Sequence, residues 1–480
     1  MRSNVTTFLI GAILGAGLRD LLRNLSLNYK GDDEEPIYVE LESQFILSPD
    51  ILYAILKKFT ECMSNGLAEE NYKDMPMIPS FVERLPKGNE TGYFLAIDLG
   101  GTNARICLVD LKGTREQPVL IQKKAVVPDD VKAGKSEDLF NWLADLTFEF
   151  VNENEITNEE KIKLGFTFSF PVVQSGLSKG KLTQWAKGFS CEGVVGKDVV
   201  EPLQKALHNK GLEIEVVALV NDTVGTLVSH SYVDEMTFMG VILGILILNV
   251  SKGTGTNAAY VEECSRIKKK DLKGKQMVIN TEWGAFDSER KYLPYTKYDN
   301  HLNKESLYPN QQNFEKMISG MYLGEITRHV LVDLHARGLL FPASNINCLL
   351  KRESFLTSQM SRIERDNSKN LDDVKIVLEK NIGISETDLN DRKLVKHVCK
   401  CVGTRAAQLS AMAIGAVLKH SGRWDCTVAI DGSLFEHYPN FKLRIQQTLR
   451  QLFGVVSDDV KLSLANDGSG IGAALIAASC

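Results

Sequence analysis

Residues 94–109 read FLAIDLGGTNARICLV. The apolar run 94–97 brings the carboxylate of Asp98 to the end of a strand. Gly100 and Gly101 permit a reversal in which a Cβ would crowd the backbone, and Thr102 and Asn103 complete the turn. Arg105 opens a second apolar run of strand composition. The stretch is expected to form a hairpin whose tip offers backbone N–H groups to an anion. Asp98 cannot bind phosphate itself, but it can hold a water-coordinated Mg2+ beside one. A Gly-Gly turn after an aspartate is, taken alone, an ordinary hairpin. Its recurrence later in the chain gives it another meaning.

Two further apolar runs end the same way: 216–220 at Asn221, Asp222 and Thr223, and 428–430 at Asp431, Gly432 and Ser433. A fourth copy, Asp467 followed by Gly468, Ser469 and Gly470, precedes an apolar C-terminal helix over 473–478. In open α/β sheets ligands gather beyond the carboxyl ends of the strands. Four such ends suit a nucleotide triphosphate with Mg2+. Between them, apolar residues at helical spacing (Ile51, Leu52, Ile55, Leu56, Phe59, Met63) predict a helix within 46–66. Helices are likewise expected over 137–151, with Ser136 as N-cap, over 320–340 and over 403–420, and a strand over 164–171. Alternating strands and helices imply α/β layers with parallel strands.

A chain of 480 residues exceeds one small core, so two domains, or one with a lobe, are expected. A net charge of −5 gives no reason to expect nucleic acid or an anionic membrane as partner. Nine cysteines without framework spacing point to a reducing compartment. Cys399 and Cys401 are close, but no second pair completes a zinc set. There is no P-loop and no protein-kinase motif set. Residues 5–18 (VTTFLIGAILGAGL) are apolar, carry a GxxxG at Gly11 and Gly15, and fall short of the roughly 20 residues that a spanning helix needs. A signal peptide, a short anchor and a packed terminal helix compete there. The cysteines and a nucleotide substrate speak against secretion. The reading taken is a weak anchor holding a cytoplasmic body to an organelle surface, the mitochondrial outer membrane among them.

From about Phe45 to its end the chain resembles the eukaryotic hexokinases, sugar kinases of the actin-like ATPase superfamily. The resemblance is carried by LAIDLGGTNARICLV, LGFTFSFP, LTQWAKGF, LVNDTVGTL, TGTNAAYVEE, INTEWGAFD, FEKMISGMYLGE, GTRAAQLSA, AIDGSLFEHYP and NDGSGIGAALIAA. It implies a two-lobed α/β fold with ribonuclease-H-like sheets and a sugar/ATP cleft between a small and a large domain. The implied division is 1–36 apolar segment and linker, 37–92 helical part of the large domain, 93–221 small domain, 222–467 large domain, and 468–480 a helix returning to the small domain. It further implies ATP-dependent phosphorylation of the 6-hydroxyl of glucose and related hexoses, with ATP and Mg2+. Asp222 matches the family's catalytic base. Ser169, Lys187, Asn221, Asn257, Glu282 and Glu315 match sugar-binding positions. Asp98, Gly100, Gly101, Thr102, Asn103 and Arg105 match the first phosphate hairpin and Thr254, Gly255 and Thr256 the second. Asp431, Gly432, Ser433, Gly468, Ser469 and Gly470 match the nucleotide region. No direct metal ligand is implied; Mg2+ would be held through water near Asp98 and Asp222.

Three departures stand out. Ala186 replaces a threonine whose hydroxyl contacts the sugar in the family, and Ala104 stands where phenylalanine is common. The third is an insertion of nine residues, 245–253 (ILILNVSKG), between Gly244 and Thr254 at the second phosphate hairpin. Excising it restores the family's run with no other change. The insertion either extends the hairpin or is a translated remnant of a short intron. With Ala186 it keeps a second reading open: a sugar-binding, hexokinase-like regulator with little turnover.

Overall fold

The computed structural model describes residues 36–156, 161–244, 255–465 and 467–480. The apolar run 5–18, the insertion 245–253 and Thr254 lie outside them. The chain divides at Ser43 into two units, and the sheets and the site belong to the second, Gln44–Cys480.

Two sheets share one strand plan. β1 (Thr91–Leu99), β2 (Asn103–Lys112) and β3 (Val119–Val126) form an antiparallel meander. β4 (Ile162–Phe168) pairs parallel with β1, and β5 (Ile214–Val220) parallel with β4, so the order is β3-β2-β1-β4-β5. β6 (Thr237–Leu243), β7 (Thr256–Glu263) and β8 (Gln276–Asn280) repeat the meander. β9 (Cys426–Asp431) pairs parallel with β6 and β10 (Val460–Leu464) with β9, giving β8-β7-β6-β9-β10 with the short edge Ile78–Pro79 beside β8. Of the parallel strands, β9 is buried along all but its last residue, whereas β10, at the sheet edge, alternates as VKLSL. The hairpin expected at 94–109 forms, with Asp98 opposite Arg105 and Leu99 opposite Ala104.

Helices complete the layers. α1 (Pro49–Ala68) starts where Ser48 accepts the Ile51 N–H and proline fills the first turn. α2 (Ser136–Glu153) and α3 (Val200–Asn209) cover one face of the first sheet. Ser136 is the first helical residue of α2 and not its cap. The Asp138 carboxylate takes the Lys135 N–H at 2.7 Å, and the Ser136 N–H goes to Glu192 O at 2.9 Å, so no hydroxyl is needed there. α5 (Gly320–Ala336) and α7 (Phe441–Phe453) pack against α6 (Leu389–Ser421), which also packs on α1. α6 runs well N-terminal of the expected 403–420 because Asp388 caps it, taking the Asp391 N–H at 2.7 Å. It is long and apolar enough to cross a membrane, yet 94% of its apolar window is buried, which makes it a core helix.

The joint between the sheets positions the site. α4 (Asp222–Val233) follows β5 and lies on the second sheet, whereas α8 (Gly468–Ala478) lies on the first. They cross at glycines: a Cβ on Gly472 would sit 2.1 Å from Gly225 O, and one on Gly468 2.7 Å from Thr226 Cα. One apolar cluster, including Ala96, Val109, Leu227, Tyr232, Ala259, Ile471 and Leu475, runs through both helices into both sheets. The carboxyl ends of β1, β5 and β9 thereby face one region.

Candidate active site

Asp98, at the end of β1, is 9% exposed. Its Oδ2 accepts from Arg105 Nε at 3.1 Å, Arg105 Nη2 at 2.7 Å and Ser469 Oγ at 2.8 Å. Arg105 Nη1 also donates to Asp467 Oδ1 at 2.9 Å, so the first hairpin and the start of α8 share one guanidinium. Asp431, at the end of β9, faces the same group. Burial and the charge of Asp222, with Asp467 and Asp98 adding to them against Arg105, push its carboxyl up to about 6. Asp222 opens α4 behind its N-cap Asn221, whose Oδ1 takes the Thr223 N–H at 2.9 Å. The same N–H lies 2.8 Å from Asp222 Oδ1, while Asp222 Oδ2 accepts from no described residue.

A second cluster lies at the end of β7 and β8. Asn257 Nδ2 donates to Asn280 Oδ1 at 2.7 Å and to Glu282 Oε1 at 3.1 Å, and Asn257 Oδ1 accepts the Glu282 N–H at 3.0 Å. Glu282 takes a left-handed backbone, φ 52°. Burial raises its pKa, and the charge of Asp222 adds to that, against hydrogen bonds from Asn280 and Asn257 and the charge of Lys187. Asp222 therefore acts electrostatically on Glu282 on one side and Asp431 on the other. Lys187, also left-handed at φ 57°, donates to the backbone carbonyl of Ser169 at 2.7 Å, so Ser169 meets it through main chain. The loop carrying Lys187 is pinned by Phe168, Phe170, Trp185 and Phe189, with Trp185 and Phe189 stacked at 5.3 Å.

Glu315 has a sequence position open to a plain surface charge, on the short helix Asn313–Ile318. Its Oε2 instead accepts the Thr256 N–H at 3.1 Å, and burial pushes its carboxyl up to about 7. A Cβ on Gly255 would fall 1.7 Å from that oxygen, so any other residue there would have to displace the Glu315 carboxylate. Gly320 N–H donates to Gly244 O at 2.9 Å and Gly244 N–H to Gly255 O at 3.4 Å, with Leu243 opposite Thr256. The neck of the second hairpin thus stays in register up to the insertion. Gly432, at φ 134°, lets β9 end against this neck, where a Cβ would lie 2.0 Å from Leu243 O. Ser433 starts the helix Ser433–His437 that comes next.

Further motif positions are also tied into the fold. The Thr256 hydroxyl is buried and accepts from Trp283 Nε1 at 3.0 Å. Gly468 packs on Thr226, and a Cβ on Gly470 would lie 3.0 Å from Cys107 Sγ; of these three residues Ser469 alone bonds into the acidic cluster. In the first turn, Gly100 N–H donates to Asn103 O at 3.0 Å and Val127 N–H to Thr102 O at 2.8 Å, while Gly101 is buried. Asn280 and Trp283 join these clusters without having been singled out by sequence reasoning, whereas Asp467, marked there as the fourth Asp-Gly-Ser end, joins through Arg105. Ala186 is half-buried next to Trp185, on the loop that carries Lys187. Ala186→Thr is expected to lower the KM for glucose about two- to tenfold, the worth of one hydrogen bond, with kcat unchanged. An unchanged KM in initial-rate kinetics would show that the pocket needs no hydroxyl there.

Two sheets of one plan, joined by crossing helices and meeting at carboxylates and amides, define a two-lobed sugar kinase of the actin-like ATPase type. The chain belongs to the hexokinase family. Models described as hexokinase match residues 37–232 and 248–479. It is 43% identical to hexokinase-7 of Oryza sativa subsp. japonica, covering 87% of this chain and 91% of the relative. It is 40% identical to hexokinase-1 of Saccharomyces cerevisiae, over 92% and 91%. A solved hexokinase from Schistosoma mansoni, complexed with glucose, superposes with a TM-score of 0.83 at 38% identity, covering 92% of this chain and 98% of that one.

Proposed function

We propose that this protein transfers the γ-phosphoryl group of ATP to the 6-hydroxyl of glucose and related hexoses, the entry step of glycolysis. The observation that carries the reading is the placement of Asp222, which acts electrostatically on both Glu282 and Asp431. On the first side, Glu282, Asn257, Asn221, Lys187 and Glu315 offer the oriented donors and acceptors that a polyol needs. On the second, Asp98 and Asp431 stand at strand ends, and Arg105 from the first hairpin and Ser469 from the start of α8 bond to Asp98. Asp222, with Oδ2 free of described partners, takes the 6-hydroxyl proton as that oxygen attacks the γ-phosphorus and the bond to the β-phosphate oxygen breaks.

The residues fit Mg2+: Asp98, Asp222, Asp431 and Asp467 bring hard carboxylate oxygens together, with the Arg105 guanidinium offsetting part of their charge. Asp98 and Asp222 would hold it through water, and with the nucleotide it would screen charge on the phosphates. A coupled assay with glucose, ATP and Mg2+ tests the reading; no turnover would refute it. We further propose a cytoplasmic body docked weakly through residues 5–18 to an organelle surface, such as the mitochondrial outer membrane. Its support is that apolar run, and wholly soluble fractionation of the full chain would reject it.

The insertion bears on rate. With 245–253 removed, Gly244, Thr254 and Gly255 would close β6 and β7 in a three-residue turn, which the pairing of Leu243 with Thr256 accommodates. Backbone N–H groups stabilise transferring charge only when held about 3 Å from the phosphate oxygens. Misplacement by about 1 Å can cost on the order of a hundredfold. Excision is expected to raise kcat at least about tenfold, with a smaller change in glucose KM because Glu282 and Asn280 lie below the neck. A parent as fast as the excised variant would show that the hairpin tolerates its insertion and would remove the support for a regulator.

A further inference from the structure

The β7–β8 pairing places Asn280 opposite Ala259. Asn257, two residues before Ala259, projects on the same face, so the two amides are diagonal neighbours across the ladder. Glu282 stands two residues beyond the end of β8 and turns back in a left-handed conformation, bringing its carboxylate to both amides. Asn280 is 6% exposed. Its Oδ1 accepts from Asn257 Nδ2 at 2.7 Å, and its Nδ2 donates to Glu282 Oε1 at 2.8 Å. Flipping this amide would set two NH2 groups against each other and two oxygens against each other, so hydrogen-bond chemistry fixes its orientation.

We propose that Asn280 is a positioning residue for sugar recognition: it touches no sugar itself, but fixes the Asn257 amide and aims the Glu282 carboxylate. This rests on the reading of the cluster as the sugar site. Both amides load Oε1 of Glu282, and Oε2 accepts from no described residue, which leaves that oxygen to a sugar hydroxyl. With its NH2 on Asn280 and Glu282, Asn257 keeps Oδ1 on the Glu282 and Ala258 N–H groups, at 3.0 and 2.8 Å. The carboxylate is thus gripped at both its head and its own main chain, and Asn280 is the group that keeps the grip in one orientation. It also opposes protonation. Burial and the charge of Asp222 push Glu282 towards its neutral acid, and the Asn280 hydrogen bond is the first force acting the other way. A protonated Glu282 would lose an acceptor for the sugar.

Two variants test this. Asn280→Ala removes both bonds. Asn280→Asp keeps the shape and the bond from Asn257 but replaces the donor facing Glu282 with a second acceptor. Either is expected to raise the glucose KM about tenfold or more, the cost of a bond to a charged group. kcat at saturating glucose and the ATP KM should stay within about threefold, because Asp222 and the phosphate side are untouched. The acid limb of kcat/KM for glucose should move towards neutral pH by about one unit, as a carboxyl deprived of its donor is easier to protonate. A purely structural role would lower activity at every pH without moving that limb. Folded variants with the parent's glucose KM and acid limb would overturn the proposal. Failure of both variants to melt cooperatively would also overturn it, making Asn280 a folding element. A parent without glucose turnover would refute the functional reading instead, so the variant-to-parent ratios test Asn280 alone.

Discussion

Asp222→Ala is expected to lower kcat by about a thousandfold, within the range removed with a general base, while glucose affinity changes less than about threefold. The two effects separate because the groups that would grip the sugar hold one another without Asp222. Asn257, Asn280 and Glu282 form a closed set, and Lys187 is tied to Ser169 O. Removing the Asp222 charge also relieves the pressure that raises Glu282 and Asp431, so neither is pushed towards a worse protonation state. Asp431 does not substitute as base, since it belongs with Asp98, Arg105 and Asp467 to the cluster at the phosphate end. Calorimetric titration with glucose beside a coupled assay reads both quantities. A variant retaining about a tenth of the parent rate would remove Asp222 from the role of base.

How much of the fold and site was legible depends on what each signal encodes. The hairpin at 94–109 was readable because two glycines and a change of apolar run mark a turn locally, and Asp98 lies where the pattern puts it. The partner of Arg105 was not readable: Asp467 lies 362 residues away, and only the crossing of α4 on α8 brings it close. Both sheets share the same plan, yet no repeat is visible, because the shared feature is strand order and each helix inserted between strands differs in length. The glycines at 468 and 470 look like a phosphate loop in sequence. The fold adds that both also make close approaches, to Thr226 and Cys107, which no local pattern encodes.

The amide cluster shows the limit from the other side. Asn257 and Glu282 stand out only through the family's motifs, and Asn280 sits inside one of them, INTEWGAFD, without standing out at all. Its signal is a buried polar residue at the end of an apolar strand, visible only once β7 is known to lie beside β8. Glu315 was ambiguous on its helix until the Thr256 N–H settled which way it points. Local patterns therefore named the chemistry, and long-range register decided which atoms it uses.

Asp299→Asn is expected to destabilise the fold by about 3–5 kcal/mol, the usual cost of leaving a buried charge without its partner. Arg405, from the middle of α6, is 0% exposed and Asp299 5%. The guanidinium donates to both carboxylate oxygens at 2.7 Å and lies 4.9 Å over the Phe45 ring, itself stacked on Tyr298. Asp299 also caps its own helix, taking the Thr296 N–H at 2.8 Å. Burial pushes the Asp299 carboxyl up, but the Arg405 charge and these bonds more than offset it and hold it below the usual range. A group depressed in the fold stabilises above its unfolded pKa, about 3.9, and loses that contribution as pH falls through the lower folded value. The gap between parent and Asp299→Asn should therefore be full at neutral pH and close in strong acid. Because a buried pair has repaid a large desolvation cost, the double variant Asp299→Leu with Arg405→Met should recover much of the single loss. Urea midpoints across pH measure all three proteins. A single variant within about 1 kcal/mol of the parent at neutral pH, or a double variant no better than the single, would show that the pair does not hold α6 in place.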